Sequence, residues 1–348
     1  MPTDFKKIRE NHDTYNMVFN LLKQKHKQTK TELAYSLRMT EEFLGHILND
    51  LKTLGVPLTL SGEMVVLDAQ VEFLNSILIR EKVRSYNIDR DLEVEVVNIV
   101  DSTNNVLISS KFNSSKIRVC LAEFQTGGRG RRGKFWHSPC GANIYMSLKW
   151  RFNPKKLTPN GLSLAIGVAI HEALIDIGIE DVKVKWPNDI MVKKMKIAGI
   201  LIEVVADTSK YSDAIIGVGL NFDMSRQLGS SIDQPWTDVC RHLSKKISRN
   251  DVAGILIAYI IQTLKTFERE GFHPFFSIWD TCDFLKGKTG KVVKSDGQSN
   301  VKFEGISTDG ALIVVNDSKE RQLIHSGEVS LKIELSLIHI SEPTRQKP

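Results

Sequence analysis

Glu123-Phe-Gln-Thr-Gly-Gly-Arg-Gly-Arg-Arg-Gly-Lys-Phe-Trp136 is the segment on which the reading of this chain turns. It follows Ile117 to Phe124, an apolar, β-favouring run that predicts a buried strand. That strand empties into a loop with four glycines (Gly127, Gly128, Gly130, Gly133) and four cations (Arg129, Arg131, Arg132, Lys134). Glycine lets backbone N–H groups come close to a ligand and lets a loop change shape. Crowded arginines repel one another until an anion arrives, and their planar forks suit carboxylates and phosphates. A solvated basic loop, or an Arg-Gly nucleic-acid segment, has the same composition. Segments of that kind sit in low-complexity tails, whereas this one lies between two strand patterns, which favours a lid over a bound anion.

Composition bounds the alternatives. A chain of 348 residues is long enough for two or three domains, and 41% hydrophobic with 25% charged residues is ordinary for a globular protein. No apolar run approaches the roughly 20 residues of a membrane span, and the N-terminus lacks a signal-peptide core, so no membrane and a cytoplasmic location are expected. Cys120, Cys140, Cys240 and Cys282 show neither metal-ligand spacing nor a disulfide framework. The net charge of +6 permits anionic partners without demanding them.

Outward from the loop, the chain reads as α+β. Residues 14–67 predict a small helical domain: Tyr15 to Leu22, a basic polar turn from Lys23 to Lys30, Thr31 to Leu37, and Thr40 to Leu54. Thr40 is a natural N-cap for an amphipathic helix. Two short strands around Ser61-Gly62 complete a winged helix-turn-helix pattern. Val71 to Leu78 predicts a connecting helix within 68–90. Leu92 to Val100 alternates like a strand and ends in Asp101-Ser102-Thr103-Asn104, which reads by itself as a helix cap. Ala142 to Trp150 is another strand. Gly161 to Gly178 carries a helical apolar stripe, with His171 off it and expected at the surface. Val182 to Asp189 is a strand running into a Pro-Asn-Asp turn, a common turn former. Lys196 heads an apolar strand, so its stem can pack while its ammonium reaches out. Gly199, Gly217 and Gly219 leave room on the sheet for a ligand. A helix over Asn250–Glu270 follows a loop bearing Trp236. Short strands separated by turn signals at 286–334 predict a small SH3-like barrel. Residues 335–348 look like translated adapter sequence and are set apart.

Four stretches in this order carry a resemblance. Gln125 with Gly128-Arg-Gly-Arg-Arg-Gly133 and Trp136, then Lys185-Trp-Pro-Asn-Asp189, Lys196-Ile-Ala-Gly-Ile-Leu-Ile-Glu203 and Gly217-Val-Gly-Leu-Asn221 resemble the ordered motifs of the biotin protein ligases. Similarity extends over most of the chain and is greatest to the bifunctional type that also represses biotin synthesis.

The resemblance implies a winged helix-turn-helix domain (1–67), a connecting helix (68–90), a central mixed β-sheet with helices like that of class II synthetases (91–285) and an SH3-like C-terminal domain (286–334). It implies biotin, ATP and Mg²⁺ as ligands and the biotin carboxyl carrier protein subunit of acetyl-CoA carboxylase as partner. Operator DNA and a homodimer formed on adenylate binding are also implied. Biotin would be held by Ser102, Thr103, Asn104, Gln125, Gly128, Arg129, Gly130, Arg131, Arg132, Lys196, Gly199, Gly217 and Gly219. The nucleotide would be held by Arg131, Arg132, Trp136, Asn188, Lys196, Asn221, Trp236 and Lys332, the last standing where the repressor-type relative has an arginine. Lys196, Arg131, Arg129 and Asp189 would serve catalysis, Asp189 beside Mg²⁺. Physically, a buried ureido ring needs both donors and acceptors, which hydroxyl and amide side chains supply. Joining a carboxylate to a phosphate sets two anions together, so cations and positioning should do the work.

DNA contact would fall on the Thr40-Glu41-Glu42 region, where two carboxylates oppose phosphate binding. A regulator that binds DNA without transferring biotin, and a lipoate-type ligase, are the competing readings. The arginine-rich loop favours biotin.

Overall fold

In a computed structural model the described residues are 7–8, 10–88, 91–110, 117–152, 160–207, 211–224, 232–294, 297–325 and 330–333. The set-apart tail and the first six residues lie outside them. The chain opens with α1 (His12–Gln24), β1 (Lys27–Thr29), α2 (Lys30–Leu37), α3 (Glu41–Thr53), β2 (Leu58–Ser61) and β3 (Met64–Leu67). Tyr15, Val18, Phe19, Leu22, Leu33, Leu44, Ile47, Leu48 and Leu51 form its core. The basic stretch after α1, expected as a turn, contains β1, which pairs antiparallel with β3 and makes a three-stranded sheet. Thr29 then caps α2: its hydroxyl accepts from the Glu32 N–H, and the Glu32 carboxylate accepts from the Thr29 N–H.

The connecting helix lies later than the apolar pattern suggests. α4 is Ser76–Arg84, because Asn75 accepts the N–H groups of Ile77 and Leu78 and sets the start there. It packs against the helix over Arg249–Glu270 described below, burying Ile79 and Val83 in the main core.

The centre is a mixed seven-stranded sheet. In chain order come β4 (Leu92–Val100), α5 (Thr103–Ser109), β5 (Ile117–Gln125), β6 (Asn143–Phe152), α6 (Leu162–Asp176), β7 (Val182–Lys185), β8 (Asp189–Val192), β9 (Met195–Asp207) and β10 (Tyr211–Asn221). Their spatial order is β4-β5-β6-β10-β9-β8-β7, with β4 and β5 parallel and every other pair antiparallel. α6 and α7 (Arg249–Glu270) cover one face with an almost wholly apolar surface. α5 covers part of the other, where Leu107 meets Cys120 and Ile215. His171, expected at the surface, is half-buried with Nδ1 3.0 Å from the Val182 carbonyl, and burial pushes its pKa down. After α8 (Phe276–Cys282) come β11 (Thr289–Lys294), β12 (Gly297–Ile306), β13 (Leu312–Asn316), β14 (Arg321–Ile324) and β15 (Ser330–Ile333). These five form an antiparallel sheet in the order β14-β13-β12-β11-β15. No helix among the described residues is long and apolar enough to cross a membrane.

One buried ion cluster joins these parts. Glu123 on β5 is fully buried; it accepts from Arg249 Nη2 at 2.5 Å and from the Leu74 N–H at 2.6 Å, and Lys23 Nζ lies 3.7 Å away. Lys23 comes from α1, Leu74 from the segment before α4, and Arg249 from the start of α7. Removing one partner of a buried pair strands the others, at a cost of about 3–5 kcal/mol. Glu123→Ala should therefore lower the unfolding midpoint steeply in a thermal melt. A melt unchanged from the parent chain would show that the cluster is dispensable.

Candidate functional site

A cavity of about 1020 Å³ opens on the α5 face of the sheet. Its lining brings together the ends of β4, β5, β9 and β10, the arginine-rich loop and the Trp236 loop. Of the residues expected from the sequence, Ser102, Thr103, Asn104, Gln125, Arg129, Gly130, Arg131, Arg132, Trp136, Asn188, Asp189, Lys196, Gly199, Gly217, Gly219, Asn221 and Trp236 all border it. Among the described residues, six arginines and lysines line it against two aspartates.

The polar corner forms where β4 runs into α5. Thr103 donates its N–H and hydroxyl to Gln125 Oε1 at 3.0 and 3.3 Å, and Gln125 Nε2 donates to Ser138 Oγ at 3.2 Å. Buried Ser147 on β6 donates its single hydroxyl proton to Asn104 Oδ1 at 2.5 Å, and its oxygen lies 2.6 Å from Thr103 Oγ1. Ser102 precedes the helix, yet its hydroxyl makes no capping bond, so the corner is more than a cap. Backbone bonds tie it to the loop: the Thr126 N–H donates to Val100 and the Gly127 N–H to Asp101, at 2.9 and 2.8 Å.

The loop divides its cations. Arg129, expected at the reacting centre, donates instead to Asn105 Oδ1 at 2.7 Å and lies 3.3 Å from Glu203. Its charge is thereby engaged at the β9 side of the cavity. Arg131 reaches Asn188 Oδ1 at 3.4 Å. Burial lowers its pKa first, with Arg132 adding to the fall and Asp189 opposing it. Lys196 Nζ sits 2.7 Å from Asp189 Oδ1, both side chains half-buried. Its backbone is fixed on both sides, since its N–H donates to Pro235 O and its carbonyl accepts from Thr237. Asn188 Nδ2 in turn donates to the Ile200 carbonyl, anchoring the turn to β9.

The sheet glycines border the cavity and also lie against side chains of this chain. A Cβ on Gly219 would lie 2.4 Å from the Trp136 indole, and one on Gly199 would lie 2.9 Å from it. The space those residues leave is thus taken by a ring from the loop itself, and Lys196 Nζ stands 5.3 Å from its centroid. Gly217 gives room to Asn104, whose Oδ1 would lie 2.4 Å from an added Cβ. Gly128 does not border the cavity; it lets the loop close on the Trp136 carbonyl and Ser138 Oγ, both 2.8 Å from a would-be Cβ. Of Lys332 only the backbone is described, on β15 opposite Lys291.

Several contributors escaped the sequence reading. Lys185 is half-buried on the cavity wall; burial lowers its pKa, Asp189 partly restores it, and Lys196 and Lys134 lower it further. It stands in a quoted motif but read as an ordinary strand end. Ser147 and Glu203 act through partners distant in sequence, and Ser138 links Gln125 to the Trp136 carbonyl. Trp236 has the Arg241 guanidinium 4.3 Å from its ring centroid.

Filling the indole's seat should be felt directly. Overpacking of this kind costs about 1–3 kcal/mol, so Gly219→Ala should displace the ring, shift tryptophan fluorescence and weaken ligand capture. Combining it with Trp136→Phe should recover part of the loss; a Gly219→Ala chain indistinguishable from the parent would mean the ring yields freely.

Comparison with known proteins places this geometry. Residues 96–221 match the Biotin/lipoate A/B protein ligase family, and 291–332 match the Biotin protein ligase C terminal domain. The Bifunctional ligase/repressor BirA of Escherichia coli (strain K12) is 32% identical over 302 residues, which is 86% of this chain and 92% of the relative. The Biotin--[acetyl-CoA-carboxylase] ligase of Paracoccus denitrificans is 28% identical over 66% of this chain and 96% of its own length. Among solved structures, the biotin protein ligase from Aquifex aeolicus in complex with biotin and ATP aligns with a TM-score of 0.61 at 27% identity, covering 70% of this chain and 99% of that one. The chain belongs to the biotin/lipoate A/B protein ligase family and, within it, to the biotin protein ligases.

Proposed function

We propose that this chain is an ATP-dependent ligase that activates biotin as biotinyl-5′-AMP and transfers it to a lysine of the biotin carboxyl carrier protein of acetyl-CoA carboxylase. The observation that carries this reading is the cation-rich cavity in which Lys196 and Arg131 converge on the Asn188–Asp189 turn beneath the loop. A carboxylate oxygen of biotin attacks the α-phosphorus, forming the mixed anhydride as the Pα–O bond to pyrophosphate breaks. The carrier lysine, as free amine, then attacks the acyl carbon and AMP leaves. Both steps gather negative charge, so fixed cations aimed at it lower the barrier without a covalent enzyme intermediate.

In this assignment the Ser102–Asn104 corner with Gln125 holds the ureido ring, and one amide hydrogen of Gln125 remains for it. Lys196, Arg131, Arg132 and Lys185 neutralise carboxylate and phosphates. Trp236 and Asn221 border the nucleotide side. Arg129, held by Glu203, acts as the loop's anchor rather than as a neutraliser. One half-buried carboxylate already paired with a lysine suits a Mg²⁺ carried in by phosphates and waters better than a protein-built cage. Asp189 would hold that ion, which would supply further charge neutralisation. Closure of the loop shields the reactive adenylate from water.

Incubation with ATP, biotin and a carrier domain should add one biotin to the carrier, read by intact-protein mass spectrometry, and lipoate should not substitute. Lys196→Ala should cut adenylate synthesis by roughly 10²–10³, the usual cost of one preorganised charge donor. Normal pyrophosphate release in that variant would remove Lys196 from the chemistry.

A second activity, repression through operator DNA, has one observation in its favour. The N-terminal order α1-β1-α2-α3-β2-β3, in which a β2–β3 hairpin follows the helices and β1 pairs with β3, supports a winged helix-turn-helix reading. At the start of α3, Thr40 caps the helix, Glu41 accepts from Thr31 at 2.7 Å and Glu42 stands exposed, so affinity must come from surrounding lysines. Titration of the operator at several salt concentrations should give weak binding with a shallow salt slope, strengthened by Glu42→Gln. No binding to operator above that to random DNA, with adenylate present and the chain dimeric, would restrict this chain to ligation.

A further inference from the structure

Trp236 stands on the cavity wall with a guanidinium over one face. Arg241 Cζ is 4.3 Å from the ring centroid, a distance typical of a planar cation stacked on an aromatic ring. The arginine is itself held tightly for a side chain more than one-third exposed. Its Nε lies 3.0 Å from Asp238 Oδ2, its Nη2 donates to the Met224 carbonyl at 2.8 Å, and its own N–H donates to Asp238 Oδ1 at 3.0 Å. Asp238 is buried, so the fork rests on a fixed base. Met224 and Asp238 flank the segment that carries Trp236, and one guanidinium therefore ties both flanks together and lies on the ring between them. The same ring is tethered to the reacting centre through its neighbours: Pro235 accepts from the Lys196 N–H and Thr237 donates to the Lys196 carbonyl.

We propose that Arg241 is a positioning residue for the nucleotide: it presets the Trp236 ring as a stacking platform for the purine and so sets the affinity for ATP without touching the reacting atoms. The inference rests on the ligase reading. A side chain of this size has several rotamers, and holding it before the ligand arrives removes part of the ordering cost of binding. Arginine suits the task because its flat, weakly hydrated head can stack while its edges still donate to Asp238 and Met224. Lysine could keep the charge but not the plane. The link to Lys196 means that a base stacked on this ring would be in register with the ammonium that faces the phosphates.

The test is a double-mutant cycle read as KM for ATP in pyrophosphate exchange. Arg241→Ala should raise KM for ATP about fivefold, in line with a partly desolvated cation–π contact. It should leave KM for biotin and the rate at saturating ATP near those of the parent. Arg241→Lys should recover little. In a Trp236→Ala background Arg241→Ala should have no further effect, because the platform is already gone. If the two substitutions multiply, Arg241 acts through loop stability or by attracting phosphates directly, and the proposal fails. If KM for biotin rises in step with KM for ATP, it fails as a general disruption. A parent chain that exchanges no pyrophosphate would overturn the ligase reading instead, so the two failures are distinguishable.

Discussion

A single carboxylate that never meets water sets the frame of this molecule. Glu123 on β5 is surrounded by groups from three other parts of the chain: Lys23 in the N-terminal unit, the Leu74 N–H in the connecting segment and Arg249 at the head of α7. Arg249 also donates to the Asn143 carbonyl at the start of β6. Burial of an ion costs several kcal/mol, and only good geometry with its remaining lone pairs satisfied offsets it. The arrangement therefore tolerates few relative positions of these parts. Two residues further along β5 stands Gln125, and after it the arginine-rich loop, so the root of the loop inherits the rigidity of the cluster. A second tie reinforces it: the Asn16 side chain pairs with both the N–H and the carbonyl of Ile99, at 2.9 Å each, one residue before β4 ends and the polar corner begins.

The electrostatics of the cavity follow from crowding. The pKa values of Arg131 and Lys185 are both lowered, chiefly by burial, with neighbouring cations adding to the fall. Asp189 opposes both shifts while pairing with Lys196. One carboxylate is thus shared among several positive groups, an arrangement stabilised by the arrival of a polyanion. Glu203, by contrast, takes Arg129 out of that competition and, accepting also from Asn104, fixes the side of the cavity next to α5.

Much of this was legible because it is periodic or local. The stripe on α6, the alternation of β4 and β6 and the glycine-cation run of the loop each follow from short stretches of sequence, and the ordered motifs placed the cavity. What escaped depends on partners far apart in the chain. β1 is three residues inside a charged run and exists because β3 lies alongside it some forty residues later. Arg129 reads locally as a catalytic cation, and nothing near it in sequence shows that Glu203, on another strand, lies 3.3 Å from it. His171 sits off the apolar stripe of its helix, yet the Val182 carbonyl draws it inward. The glycines read as space for a ligand and do border the cavity, but nothing local says that Trp136 and Asn104 also lie against them.

The indole resting on β9 and β10 also constrains how such a chain can change over time. Positions 136, 199 and 219 are remote in sequence but share one volume, so a methyl gained at either glycine requires a smaller residue at 136 in the same lineage. Loss of the ring alone would leave an apolar trough that either glycine could then fill irreversibly. Divergence at this spot should proceed through correlated replacements.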